Sequence, residues 1–355
     1  MVVGPEGPLA AGIVDEFQSR FIPVFGPSRA AAQLEASKTF ARDLMEKHAI
    51  PCARGRSFTS YTEAKAYLRG QSAPLVVKAD GLAAGKGVSV CSNIDEAEAA
   101  LQKMMEAKEF GSAGAKVVIE ECLVGQEMSY LAFTDGDTIA PMPPACDYKR
   151  VFDGNAGPNT GGMGAYSPPP FFDRKLAAVL DATVMQPIVR ALAEEGIAYR
   201  GVIYAGLMLT NDGPKVLEFN ARCGDPETQV ILPQLKTDLV EIMLHIIDGS
   251  LDKVNIEWQS RACVATVMAS GGYPGDYEKG AEIFGLGNVG DDVMVFHAGT
   301  RLSDGKIVTS GGRVLAVSGC GDTFPEARAK VYDNIHRIGF EGAHYRRDIA
   351  AFDAV

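Results

Sequence analysis

The chain is poor in the residues that would announce redox, metal or covalent chemistry. Its seven cysteines form no C-x-x-C pair, it has five histidines and one tryptophan, and no histidine sits in a nucleophile or metal motif. The cysteines lie mostly among apolar neighbours and read as reduced core residues, which excludes a disulfide scaffold or a thiolate zinc site. Positive charge is also scarce, with 34 Lys+Arg against 45 Asp+Glu and a net charge of −11. That sign excludes a general nucleic-acid or anionic-membrane surface, although a local basic site is compatible with it. No uninterrupted apolar run approaches the roughly 18 residues needed to cross a bilayer, and no basic region precedes an apolar core at the N-terminus. The expectation is a cytoplasmic protein without nucleic-acid or membrane partners.

What is present is a globular composition, 46% apolar and 22% charged over 355 residues. At roughly 150 residues per domain this predicts about two domains. No repeat period and no low-complexity tract divides the chain. Val2 to Pro5, a helix over Leu9 to Phe17 and a strand over Phe21 to Phe25 read as one β-α-β unit. Such a unit alone cannot cover both faces of a parallel sheet, so it is expected to be the remnant of a larger domain. Further on, Asp135-Gly136, Asp212-Gly213 and Asp304-Gly305 stand between apolar runs and predict hairpins, because tight turns need positive φ. Thr323-x-x-Glu326 with Pro325 predicts a capped helix to Ile338. The pattern predicts helices mixed with antiparallel hairpins, with boundaries that give segments 1–54, 55–124, 125–257 and 258–355.

Three segments carry candidate chemistry. Asp80-Gly-Leu-Ala-Ala-Gly85-Lys86-Gly87 lies between strands over Pro74 to Lys78 and Val88 to Cys91. It is no Walker A loop: its glycines are one residue too close, Gly87 replaces the hydroxyl that would meet Mg²⁺, and a strand follows instead of a helix. It reads as a glycine flap able to lay amides and lysines over a polyphosphate, or as a solvated surface hairpin. In Lys215 to Arg222, strand alternation puts Glu218, Asn220 and Arg222 on one face, with Leu217 and Phe219 on the other. A carboxylate beside an amide oxygen suits Mg²⁺, which takes few protein ligands; a half-buried strand with a polar face is the alternative. Pro158 to Pro168 is too glycine-dense for a regular element and reads as an anion-holding loop or a long surface loop.

The order Ser37-Lys38, Val77-Lys78 with the glycine flap, Glu120-Glu121-Cys122-Leu123 with Glu127, then Glu218-Phe-Asn220 resembles the ATP-grasp ligases. Val3 to Leu9, Gly157 to Pro168, Gly224 to Thr228, Gly272 to Tyr277 and Phe296 to Thr300 resemble, more closely, the phosphoribosylamine-glycine ligase (GAR synthetase) family. This resemblance spans essentially the whole chain. It implies an α/β (α+β) ATP-grasp fold: a remnant of an N-terminal Rossmann-like domain, a small ATP lid lobe, a central mixed-sheet grasp lobe and a strand-rich C-terminal domain. The activity implied is ligation of glycine to 5-phosphoribosylamine through glycyl phosphate in purine biosynthesis, with ATP and Mg²⁺ or Mn²⁺ and no covalent enzyme nucleophile. Another carboxylate-amine ligase and an ATP-binding fragment are the alternatives.

By the same resemblance Lys38 and Lys78 contact the ATP phosphates, and Gly81, Gly85, Lys86 and Gly87 belong to the flap that covers the nucleotide. Glu120, Glu121 and Leu123 form the adenine hinge, Glu127 holds the ribose, and Glu218 and Asn220 bind the metal. Asp147, Lys149, Gly161, Gly162, Arg222 and Asp225 form the substrate side, with Lys149, Arg222 and Asp225 as catalytic candidates; for Lys149 and Arg222 a surface salt bridge is the alternative. Tyr148 stands where the family usually has His and Cys223 where it usually has Phe, both packing-scale departures. Family members begin with a further strand and glycine loop, so part of the substrate cleft is expected to be missing, and the chain is expected to be a piece of a larger or multifunctional enzyme.

Overall fold

The computed structural model describes residues 1–83 and 87–352. They form two compact units. Met1–Met142, Asp173–Cys223 and Leu239–Asn255 build the first; Pro143–Phe172, Gly224–Asp238 and Ile256–Val355 build the second.

The first unit contains two four-stranded sheets. In one, the strands Gly55–Phe58, Val117–Glu121, Leu75–Ala79 and Val88–Cys91 lie side by side in that order, all antiparallel. Its inner strand Leu75–Ala79 is buried throughout, as its apolar residues Leu75, Val76, Val77 and Ala79 favour, and carries Lys78 in with them. The helices Tyr61–Leu68 and Ile94–Met105 cover it, burying Leu68, Leu101 and Met104 against Phe58, Val77 and Ile119. Ser60 and Asn93 start these helices by accepting hydrogen bonds from the amides of Glu63 and Glu96.

The other sheet orders Gly213–Asn220, Gly201–Thr210, Gln126–Thr134 and Ile139–Pro141. Gly206 faces Glu218 and Leu207 faces Val216, so Leu217 is an extra residue, a β-bulge. The strict alternation expected of Lys215 to Arg222 therefore fails at Leu217. A continuous helical stretch, Arg174–Glu194, is apolar and long enough to span a membrane by length and composition. It serves as a core helix, burying Leu180, Val184, Met185, Ile188 and Leu192. A π-helical turn at Asp181–Met185 immediately precedes Pro187, where a regular helix would lose a hydrogen bond and meet the ring.

The N-terminal expectation needs correction. Gly12, at φ +91°, splits the expected helix into Glu6–Ala11 and Ile13–Ser19. The expected strand over Phe21 to Phe25 shrinks to one parallel bridge between Val2 and Phe25.

In the second unit a five-stranded sheet orders Val293–His297, Arg313–Gly321, Ala262–Ala269, Gly164–Ser167 and Cys146–Asp147. The helix Phe324–Ile335 packs on it, capped by Thr323 as its sequence predicts. All three Asp-Gly segments are hairpin turns; Asp304 and Gly305, at φ +50° and +76°, join Thr300–Ser303 to Lys306–Thr309. One expectation about cysteine is overturned. Antiparallel register places Cys263 directly opposite Cys320, with Cα atoms 4.2 Å apart, and their sulfurs are joined. The other five are thiols.

Candidate functional site

A cavity of about 180 Å³ opens in the first unit, and its walls carry Lys38, Lys78 and Gly87 of the residues expected around the nucleotide phosphates. Lys38 enters from the first turn of the helix Lys38–Lys47, Lys78 from the buried strand, and Gly87 from the base of the flap. Glu120 stands on the neighbouring strand, and Glu218, Asn220 and Arg222 come from the end of the bulged strand. Gly81 precedes the flap and donates its amide to the carbonyl of Ala113 at 3.2 Å. Gly85 and Lys86 lie outside the described residues. At Gly87 a Cβ would come within 2.7 Å of the Ala83 Cβ, so the flap base closes only on glycine. There the Ala79 amide donates to the Gly87 carbonyl at 2.8 Å.

The helix that bears Lys38 is tied to the flap's entry strand through Asp80. Its carboxylate accepts from the Thr39 amide at 2.7 Å and the Ser37 hydroxyl at 3.0 Å, and its carbonyl accepts from the Lys38 amide at 3.0 Å. Ser37 in turn caps the helix by accepting from the Phe40 amide. Both lysines are thus fixed by backbone geometry.

Lys78 forms an ion pair with Glu120 and donates to the Leu217 carbonyl at 3.0 Å. That carbonyl belongs to the bulge residue, the position an antiparallel ladder leaves unpaired. Arg42, one helical turn beyond Lys38, reaches the other Glu120 oxygen at 3.4 Å and donates to the carbonyls of Ala53 and Gly55 at 3.0 and 2.8 Å. Burial pushes the Lys38 ammonium below its ordinary pKa, against the pull of Glu218 and with added repulsion from Lys78. Two crowded, desolvated ammonium groups favour a polyanion between them.

On the opposite wall the Glu35 carboxylate accepts from the Ala221 amide at 2.8 Å and pairs with Arg222 at 2.9 Å; Glu6 lies 3.5 Å from the same guanidinium. Burial raises the Glu35 pKa, opposed by Arg222. Arg222 is therefore a half-buried, doubly paired cation, which joins the salt-bridge reading to a place on the cavity wall. It also donates to Asn220 Oδ1 at 3.4 Å. Glu218 and Asn220 offer two hard oxygens on one wall, a donor set that fits Mg²⁺ or Mn²⁺ completed by phosphate and water. No group of three or more His, Cys, Asp or Glu suited to a metal occurs among the described residues.

The residues expected at the adenine and ribose are only partly gathered. Glu120 lines the cavity; Glu121, Leu123 and Glu127 do not. Burial raises the Glu121 pKa, but hydrogen bonds from Arg54 and Lys215 outweigh it and bring it down to about 2. Leu123 lies in the link from Val117–Glu121 to Gln126–Thr134, and Glu127 is exposed on the latter strand opposite Met208.

The remaining substrate-side residues belong to the second unit. Asp147 pairs with Ala165 across two strands, and the Lys149 carbonyl accepts from the Thr160 amide at 2.7 Å. Tyr148 is a packing residue: Arg346 lies 4.7 Å over its ring, and its hydroxyl accepts from the Ala350 amide. Gly162, at φ +112°, leaves no room for a Cβ, which would stand 2.4 Å from Pro226. The Asp225 carboxylate is held by Arg313 at 2.8 and 3.2 Å and by Gln229 at 3.0 Å. Arg313, which the sequence reading missed, also reaches the Gly161 and Gly162 carbonyls.

Arg42 and Glu35 were missed as well. The four-residue spacing from Lys38 to Arg42 was a usable signal, since it puts both on one helix face. Nothing local marks Glu35 or Arg313.

Family models match nearly the whole chain. The ATP-grasp (A) domain of phosphoribosylglycinamide synthetase matches residues 36–228, its C domain residues 263–352 and its N domain residues 1–35. The phosphoribosylamine-glycine ligase of Caldanaerobacter subterraneus subsp. tengcongensis is 50% identical over 350 residues, covering 99% of this chain and 84% of that protein. The trifunctional purine biosynthetic protein adenosine-3 of Gallus gallus is 53% identical over 352 residues, 98% of this chain and 35% of its own length. A crystal structure of phosphoribosylamine-glycine ligase from Thermotoga maritima superposes with a TM-score of 0.85 at 38% identity, covering 92% of this chain and 81% of that one. Biotin carboxylase from Campylobacter jejuni shares the fold alone: TM-score 0.76, 16% identity, 97% and 76% coverage.

Proposed function

The chain belongs to the phosphoribosylglycinamide synthetase family of ATP-grasp carbon-nitrogen ligases, and from that premise we propose that the first-unit cavity holds the triphosphate of ATP while glycine is joined to 5-phosphoribosylamine. The observation that carries this is the meeting of Lys38, Lys78, the flap base at Gly87, Glu218 and Asn220 around one cavity. In this reading residues 55–124 form the lid and 125–257 supply the metal-binding strand.

A glycine carboxylate oxygen attacks the γ-phosphorus and ADP leaves, giving glycyl phosphate. The 5-phosphoribosylamine nitrogen then attacks the carbonyl carbon and inorganic phosphate departs, leaving the amide; the nitrogen loses a proton. Phosphoryl transfer of this kind asks the protein mainly for positioning and charge neutralisation. Lys38 and Lys78 bind the phosphate oxygens, and Lys78 exchanges its bond to Glu120 for one to nucleotide. Glu120, anchored by Arg42, Glu121 and Leu123 receive the adenine, and Glu127 the ribose. Glu218 and Asn220 hold Mg²⁺ or Mn²⁺, which when bound neutralises charge on the transferring phosphoryl group. Arg222 offers its guanidinium to the glycine carboxylate. Asp147, Lys149, Gly161, Gly162 and Asp225 serve the substrate side.

The test is ADP release and glycinamide ribonucleotide formation, the latter followed by mass spectrometry. Both should require glycine together with freshly prepared 5-phosphoribosylamine. Turnover with another acid and amine but not with this pair overturns the assignment, as does nucleotide binding with ADP formation indifferent to both substrates.

A further inference from the structure

We propose that Arg313 is a positioning residue for the ligation: it binds the glycine loop at Gly161–Gly162 to the Asp225 carboxylate and so holds in place the loop that the proposed function gives to substrate. The inference rests on the proposed function and extends it to a residue outside every motif that marked the site.

The guanidinium makes more contacts than a surface ion pair needs. Nη1 donates to the Gly161 carbonyl at 2.8 Å, the Asp225 carbonyl at 2.9 Å and Asp225 Oδ1 at 3.2 Å, while Nη2 donates to Asp225 Oδ2 at 2.8 Å. The Gly162 carbonyl stands 3.5 Å from Nη1. A Cβ at Gly161 would lie 3.0 Å from the guanidinium carbon, so the fork packs closely against this residue and a larger one would push it aside. The loop's amides are spoken for separately: Gly161 donates to the Tyr273 hydroxyl at 3.0 Å and Gly162 to Thr160 Oγ1 at 2.9 Å. Arg313 itself opens the strand Arg313–Gly321, whose interior residues are buried, so the fork projects from a rigid base.

A bidentate carboxylate contact needs a planar fork. A lysine ammonium reaches Asp225 or the loop carbonyls, not both in this geometry. The Asp225 carboxylate, already accepting from Arg313 and Gln229, acts here as the anchor of a clamp. A loop that holds substrate must be kept near its productive position, because small misplacements cost rate steeply.

The experiment is steady-state kinetics of the full chain carrying Arg313→Gln, Arg313→Lys or Asp225→Asn, with each substrate varied in turn. The expected result is a drop of about tenfold or more in kcat/KM for glycine or 5-phosphoribosylamine in Arg313→Gln, with the KM for ATP within about twofold of the parent. Arg313→Lys should fall between, and Asp225→Asn should show the same split. Unchanged substrate constants in a folded Arg313→Gln overturn the proposal. So does a loss confined to kcat that tracks a smaller folded fraction, with every KM unchanged, because that marks a structural role only. Should Arg313→Gln not fold, Arg313→Lys and Asp225→Asn decide by the same criteria. A parent chain that makes no product refutes the proposed function instead, and is distinguished by its failure before any substitution.

Discussion

Replacing Lys78 by Met removes one ammonium from a place where it has two tasks, and the two separate experimentally. Lys78 and Glu120 are 8% and 7% exposed, so their pairing is a buried one. Breaking a buried pair by deleting one partner costs about 3–5 kcal/mol when the survivor is left alone. Glu120 is not left alone, since Arg42 stays 3.4 Å from its other oxygen, and the expected loss of stability is nearer about 2–3 kcal/mol. The second task is nucleotide binding. A charge-assisted contact is worth about 1.5–3 kcal/mol, which corresponds to roughly 10- to 150-fold weaker binding of ATP. Adding Glu120→Gln to Lys78→Met removes the stranded carboxylate while Arg42 keeps the carbonyls of Ala53 and Gly55 and its pairing with Glu46. The double variant should therefore regain most of the stability and none of the affinity. Urea unfolding measures the first and calorimetric titration with a non-hydrolysable ATP analogue the second. A Lys78→Met protein within about 0.5 kcal/mol of the parent in stability and equal to it in nucleotide affinity would refute the reasoning, since surface substitutions without a named role behave that way.

Two further outcomes follow from the same cavity and its rim. Glu218→Ala should raise the Mg²⁺ concentration needed for half-maximal ADP release by about tenfold or more, as loss of a metal-holding group does; a metal titration that matches the parent counts against the site. Glu121 has its pKa held down to about 2 in the folded state, so unfolding takes up a proton between that value and the ordinary carboxylate range. The stability it contributes is full above the ordinary range and is lost as pH falls from there through about 2. Urea midpoints at pH 3 and pH 6 should accordingly differ less in Glu121→Gln than in the parent, and an equal difference in both contradicts the linkage.

The parts of this molecule that sequence discloses are those whose cause is local. The three Asp-Gly hairpins and the Thr323 cap rest on conformations or hydrogen bonds made within a few residues. The loop could be placed between two strands because a run of small residues separates two apolar stretches, a local pattern. Gly12 defeated the helical period because one residue at positive φ ends a helix without disturbing the apolar spacing around it. The Leu217 bulge was equally silent, because it depends on the partner strand. Glu35 and Arg313 were invisible for the plainest reason. Their partners lie 186 and up to 152 positions away along the chain, and only tertiary structure brings them within a hydrogen bond. The residues proposed for the substrate side come from family likeness alone, and the structure adds which neighbours hold them.

The extra residue at Leu217 also limits how the strand's length can change. Side chains on a strand swap faces with each residue added or removed. The bulge is the exception: Val216 already faces Leu207 and Glu218 already faces Gly206, so deleting Leu217 would leave that pairing, and the sides on which Glu218 and Asn220 stand, as they are. Lys78 would lose its carbonyl acceptor in the same stroke. Length variation is therefore cheap in the Asn211–Asp212 turn, where solvent absorbs it, and costs Lys78 its acceptor five residues further on. Chain length at that spot is as much a part of the binding apparatus as any charged group.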